Sequence, residues 1–87
     1  MPVIFCDVNL FSYNQPVMLA DDEGNILQAY QFDIDELPQA ICALAYKNGI
    51  TNIKFRGQSL YIEPWINEIK TAYSLNYGQN DLEIEVY

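Results

Sequence analysis

Apolar and polar positions along this chain follow two periods. Alternation with period two runs through Val3–Phe11, Val17–Ala20, Ile26–Phe32, Thr51–Arg56 and Leu82–Tyr87 and predicts five strands. In the first, Ile4, Cys6, Val8 and Leu10 share one wholly apolar face, and Val3, Phe5, Asp7, Asn9 and Phe11 share the other. Apolar residues on both faces predict a central strand. In the fourth, Ile53 and Phe55 oppose Asn52, Lys54 and Arg56; in the fifth, Leu82, Ile84 and Val86 oppose Glu83, Glu85 and Tyr87. Ser12–Pro16 reads as a turn broken by Asn14 and Pro16, and Asp21–Asn25 as a second turn, with Gly24 supplying the permissive backbone.

A helical recurrence takes over in two places. Leu37, Ile41, Leu44 and Ala45 share one helix face. Asp35 is the expected N-cap there, Glu36 suits the positive end of the dipole, Pro38 fits the first turn, and Gly49 ends the helix. A second helix is expected from about Ile62, which puts Pro64 in its first turn and Ile62, Ile66, Ile69 and Tyr73 on its buried stripe.

The resulting order is β-β-β-α-β-α-β. Three strands joined by tight turns form an antiparallel meander, so the third runs parallel to the first. A right-handed crossover then lays the fourth strand beside the first, and a second crossover continues in the same direction. The expected fold is α/β: a single five-stranded mixed sheet, order 3-2-1-4-5, with two helices on one face, in a single domain spanning 1–87.

This element order resembles the core of the ribonuclease H-like superfamily, which includes retroviral-type ribonucleases H, Holliday-junction resolvases and one half of actin-like ATPase domains. Asp7 stands where that superfamily's first-strand metal-binding acid would stand. The resemblance implies the fold, and its departures argue against the activities. The fourth strand ends Phe55-Arg56-Gly57 rather than near an acid, Glu36 is the first helix's one acid, and no further helix follows Leu82–Tyr87. Asn9-Leu-Phe-Ser-Tyr13 replaces the glycine-rich turn of the ATPases.

Composition narrows the chemistry. The net charge is -8, from 12 acidic and 4 basic residues. Lys47, Lys54, Arg56 and Lys70 are scattered, whereas nucleic-acid binders cluster cations against phosphates, so no direct nucleic-acid contact is expected. The chain has no histidine, which removes the commonest general base and metal ligand. Cys6 and Cys42 lie in apolar runs and read as buried free thiols of a reducing, cytoplasmic compartment. Neither a targeting signal nor a membrane span is expected, and no cofactor.

Asp7 is the sharpest candidate for chemistry, but a magnesium ion usually needs more than one carboxylate. Its strand neighbours suggest ion pairing instead. Asp7, then Lys54 and Arg56, then Glu83 and Glu85 form an acid-base-acid pattern across three strands on the face away from the helices. Phe5 and Phe11, with Tyr30 and Phe32, are expected on that same uncovered face, which makes it a docking surface for a protein partner or a second copy. Tyr61 and Trp65 flank Pro64 and are further interface candidates. Asp21-Asp22-Glu23, with Asp33, Asp35 and Glu36, forms an acidic patch, and Gly57-Gln58-Ser59 is a weak ligand loop.

The expected function is that of a small, acidic, non-enzymatic protein-binding or inhibitor module acting through a protein partner or as a homodimer. In size, acidity and lack of catalytic residues it resembles accessory and inhibitor proteins carried by bacteriophages and mobile elements. The alternatives are a ribonuclease H-like metal-dependent nuclease or its degenerate half-domain, and an acidic nucleic-acid mimic that inhibits a nucleic-acid enzyme.

Overall fold

The computed structural model describes residues 2–9 and 11–87. Its elements are β1 (Val3–Asp7), β2 (Asn14–Ala20), β3 (Ile26–Asp33), α1 (Leu37–Asn48), β4 (Asn52–Arg56), α2 (Ser59–Tyr77) and β5 (Glu83–Val86). They build one five-stranded sheet in the order β3-β2-β1-β4-β5. β1 pairs antiparallel with β2 and parallel with β4, β3 is antiparallel to β2, and β5 is parallel to β4. Element order and strand order agree with the sequence reading.

Register divides the sheet into two unlike faces. Ile4, Cys6, Val17, Ile53 and Phe55 point to one side and are fully buried. They join Leu37, Ile41 and Ala45 of α1 and Ile62, Ile69 and Tyr73 of α2 in a single core, so both helices cover this one face. The helices also hold each other. The Cys42 thiol donates to the Ile69 carbonyl at 3.2 Å, and Tyr46 stacks on Tyr77 with ring centroids 4.5 Å apart.

Tyr30 and Phe32 belong to the covered face, not the open one. Tyr30 is opposite Val17 and Phe32 opposite Gln15, whose side chains are buried, and the two rings stack on each other against the core. In an antiparallel pair opposite residues share a face, and counting from the hairpin assigns it only when the turn length is known.

β1 is shorter than its apolar run, and Pro16 explains where the β1–β2 ladder stops. The bond from Ile34 N–H to the Tyr13 carbonyl, 2.9 Å, fixes the alternation of the β2–β3 ladder. By that alternation Val17 bonds toward β3 and Pro16 faces β1, where it has no N–H to give. The β1–β2 register accordingly ends at Cys6–Val17. Asn9 then turns the chain: its Oδ1 accepts the Phe11 N–H at 3.0 Å, which takes Phe11 out of the strand. Leu10, expected on the core face of β1, lies outside the described residues.

Gln15 supplies the hydrogen bonds that the ladder loses. It is fully buried, the one polar residue so placed among the described residues. Its Oε1 accepts from the Asn9 N–H at 2.8 Å, and its Nε2 donates to the carbonyls of Asn9 at 2.7 Å and Ser12 at 2.8 Å. A buried carboxamide is tolerated only when its donors and acceptor are matched in this way. Gln15 and Pro16 are therefore β2 residues, not the end of a turn.

The helix starts also differ from expectation. Glu36, not Asp35, is the N-cap of α1, with no side-chain cap bond. The Asp35 carboxylate instead accepts the Tyr13 hydroxyl at 2.7 Å. Gly49 ends α1 in the left-handed conformation, as predicted. α2 begins at Ser59, so Pro64 is interior to it. The Gln58 carbonyl takes the first N–H groups, those of Tyr61 and Ile62. Pro64 then forfeits one bond, to the carbonyl of Leu60, a residue in the exposed first turn that water can reach.

Leu44→Ala and Ile69→Ala are each expected to lower stability by about 2–5 kcal/mol, since each removes a buried branched side chain from the helix layer. Gln15→Ala is expected to cost about 1–3 kcal/mol by leaving the Asn9 and Ser12 backbone groups unmatched. Urea unfolding midpoints measure all three. An unshifted midpoint for Gln15→Ala means that water replaces the carboxamide without loss.

Candidate functional site

The face without helices is set out by register. One row across the sheet reads Ala29, Met18, Phe5, Lys54, Glu85. The next toward the carboxyl end of β1 brings Asp7 opposite Arg56, and the row on the other side brings Val3 opposite Ala20 and Asn52 opposite Glu83. Five of the predicted site residues besides Phe5 are thereby placed together: Asp7, Lys54, Arg56, Glu83 and Glu85. Lys54 lies between Phe5 and Glu85, and Arg56 is opposite Asp7 in the next row, so the charges of the expected acid-base-acid pattern share the face but no single row reads acid, base, acid.

Phe5 is at the centre of this face and is half-buried. Its partner is Tyr87, whose ring meets it edge to face with centroids 5.6 Å apart and planes at 87°. This geometry suits the opposed charge distributions of ring edge and ring face. An apolar groove of about 220 Å³ runs from Phe5 across Met18 and Ala20 to Ile26. A wider and more polar groove of about 600 Å³ adjoins it, lined by Val3, Phe5, Asp21, Lys54, Glu83 and Glu85 among others. Gly24, in the left-handed region at φ 85, closes the β2–β3 turn at the end of both grooves.

A separate groove of about 620 Å³ opens at the carboxyl ends of β1 and β4, lined by Asp7, Asn9, Phe11, Gln31, Gln58 and Tyr61 among others. Phe11 belongs here. It is fully exposed in the β1–β2 connection, not on the sheet face where the apolar run had put it. Tyr61, half-exposed in the first turn of α2, lines the same groove. Trp65 joins neither surface; it is partly buried against the core. Gly57 brings β4 beneath α2. A Cβ there would meet Ile62 Cδ1 at 3.1 Å and Val8 Cβ at 3.3 Å, and its φ of 151 disfavours other residues as well.

Asp7 is the one carboxylate among the residues lining this groove. Among the described residues, no three Cys, Asp or Glu side chains gather to hold a metal ion. Cys6, the neighbour of Asp7, is turned into the core, and burial followed by the Asp7 charge pushes its thiol up to about 12. Burial likewise raises Cys42 to about 11. A thiol at these values stays protonated at neutral pH and is a poor nucleophile. Among the described residues, no helix is long and apolar enough to cross a membrane.

These features define a class: a two-layer α/β domain with one sheet face covered by helices and the other bare. No protein-family model matches the chain, and no curated protein matches it.

Several residues that shape the surface escaped the sequence reading. Met18, Ala20 and Ile26 build the apolar groove, and Tyr87 covers Phe5. The signal for Tyr87 was present in its parity with Glu83 and Glu85. Parity with Val17 and Leu19 likewise marked Gln15 as facing inward, once β2 is extended back to Asn14.

Asp21 anchors the turn beside both grooves. Its Oδ1 accepts the N–H groups of Asn25 and Glu23 at 2.9 Å each, and its Oδ2 accepts from the Asn25 amide at 3.2 Å. The hydrogen bond from the Asn25 backbone is the main reason its carboxyl is held below the ordinary 3.8. A depressed folded-state value stabilises the protein above the unfolded-state value, and that contribution is lost as pH falls through the folded-state value. Carbon-13 carboxyl titration is expected to give Asp21 a midpoint below 3.8. The stability difference between wild type and Asp21→Asn should shrink as the solution is acidified.

Proposed function

We propose that this chain is a small, acidic, non-enzymatic protein-binding module whose bare sheet face is its contact surface, and that a second copy occupies that face. The observation that carries the reading is the apolar groove from Phe5 to Ile26 on a sheet face that no helix covers. In a domain of 87 residues, little apolar surface is left to spare for solvent.

Charge supports the choice of occupant. The chain carries -8 overall, yet this face holds two of its four basic residues, Lys54 and Arg56, against Asp7, Glu83 and Glu85. Lys54 and Glu85 are neighbours in one row, so a twofold axis that runs between them sets Lys54 of each copy against Glu85 of the other. Aromatic anchors ringed by charge are the usual composition of contact surfaces that carry binding energy. The nuclease alternative asks for a second carboxylate beside Asp7, and Arg56 stands there instead.

Sedimentation equilibrium tests the reading. Wild type is expected to associate as a dimer, and Phe5→Glu and Lys54→Glu to shift the mass toward monomer while far-UV circular dichroism stays unchanged. A wild type that remains monomeric at high concentration contradicts the assignment of a second copy. A dimer indifferent to both substitutions puts the contact on another surface.

A further inference from the structure

The sheet has two edges, and they are built differently. Natural edge strands avoid pairing with other chains by being short, by carrying charge or proline, or by twisting away at a bulge. β5 is short, with four residues of which two are Glu83 and Glu85. β3 has eight residues, Ile-Leu-Gln-Ala-Tyr-Gln-Phe-Asp, without lysine or proline and with its single charge at the last position, Asp33. Its one irregularity is at its start, where the register shifts between Leu19 and Ala20. From Gln28 onward the strand is regular. Ile26 and Leu27 are each 61% exposed.

The direction of the free backbone groups follows from the ladder on the other side. The Ile34–Tyr13 bond sets Phe32, Tyr30 and Gln28 to bond toward β2. Ala29 and Gln31 therefore direct their N–H and C=O groups outward, at the spacing that an added strand needs, and Asp33 directs its N–H outward while its carbonyl accepts the Glu36 N–H at 2.9 Å.

Both ends of this edge are acidic. Asp21, Asp22 and Glu23 form the turn before it, Asp33 is its last residue, and Asp35 and Glu36 follow it. Together these are six of the chain's 12 acidic residues, and no basic residue precedes Lys47. A second copy fits this edge poorly. Antiparallel pairing of β3 with itself sets the acidic turn of one copy against the acidic end of the other, and parallel pairing sets like on like. Phosphate backbones are repelled for the same reason.

We propose that the outer edge of β3 binds an extended segment of a foreign protein as a sixth strand, the segment having an uncharged middle and Lys or Arg at both ends. The eight residues of β3 span about 25 Å, at roughly 3.3 Å per residue, so the two basic ends stand about eight residues apart. Main-chain bonds to Ala29, Gln31 and Asp33 supply affinity, and the acidic ends select the partner. This surface is distinct from the Phe5 face, and its readout is separate from dimer mass.

The test uses two synthetic peptides with the same alternating Thr-Val middle, one flanked by lysines and one by glutamates, added to the full chain labelled with nitrogen-15. The lysine-flanked peptide is expected to shift the amides of Ala29, Gln31 and Asp33, to bind about tenfold or more tightly than the other, and to weaken as salt rises. Ala29→Pro removes an outward N–H that β2 does not use, so it should fold as wild type and lose binding. Should that variant fail to fold, Glu23→Lys combined with Glu36→Lys should narrow or reverse the preference. No amide shift at millimolar peptide, equal binding of both peptides, or full binding by a folded Ala29→Pro overturns the proposal.

Discussion

Crossover handedness is the constraint on which the rest of this structure depends. β1, β4 and β5 are parallel neighbours, and each parallel step needs a helix to carry the chain back. Right-handed crossovers taken twice in the same direction put both helices on the same side. Among the described residues there are two helices, so one face of the sheet has its cover and the other has none. Ile4, Cys6, Ile53 and Phe55 are sealed under α1 and α2, while Phe5 and Lys54, on the same strands, stay half-buried on the other side. The contact surface proposed here is thus a consequence of topology before it is a matter of particular side chains.

The meander end of the sheet depends on a local device of a different kind. Pro16 ends the β1–β2 ladder, and the buried Gln15 carboxamide replaces the missing bonds by holding Asn9 and Ser12. That exchange frees β1 to end at Asp7 and directs the following residues toward the first turn of α2. Phe11, Asp7 and Tyr61 come to line one groove for this reason, although they are on three different segments of the chain. Asp7 lies where that groove meets the open face, with Arg56 as its register neighbour.

Much of this was legible in the sequence. Strict alternation in Leu82–Tyr87, the helical stripe of Leu37, Ile41, Leu44 and Ala45, and Gly49 as a stop gave element types that need no partner to interpret. Crossover handedness then yielded the strand order and the uncovered face, with Phe5, Lys54 and Glu85 on it. The errors have a common physical origin in local exceptions to a regular pattern. Phe11 has strand parity, but the Asn9 side chain competes for the backbone and bends the chain before it. Tyr30 and Phe32 have the same parity as Ile26, but the bulge between Ile26 and Gln28 leaves Ile26 opposite Ala20 on the bare face and sets Tyr30 and Phe32 on the covered one. Pro64 suggested a helix start at about Ile62, yet a first turn exposed to water lets α2 begin three residues earlier, at Ser59.

The central claim, that the bare sheet face is a contact surface, is tested most directly by a soluble paramagnetic probe in methyl NMR at rising protein concentration. The account predicts that the methyl groups of Val3, Met18 and Ala20 become protected from the probe as concentration rises. The exposed methyl groups of Leu60 and Leu75 on α2 should keep their full relaxation enhancement throughout. Equal enhancement of both sets at every concentration would contradict it.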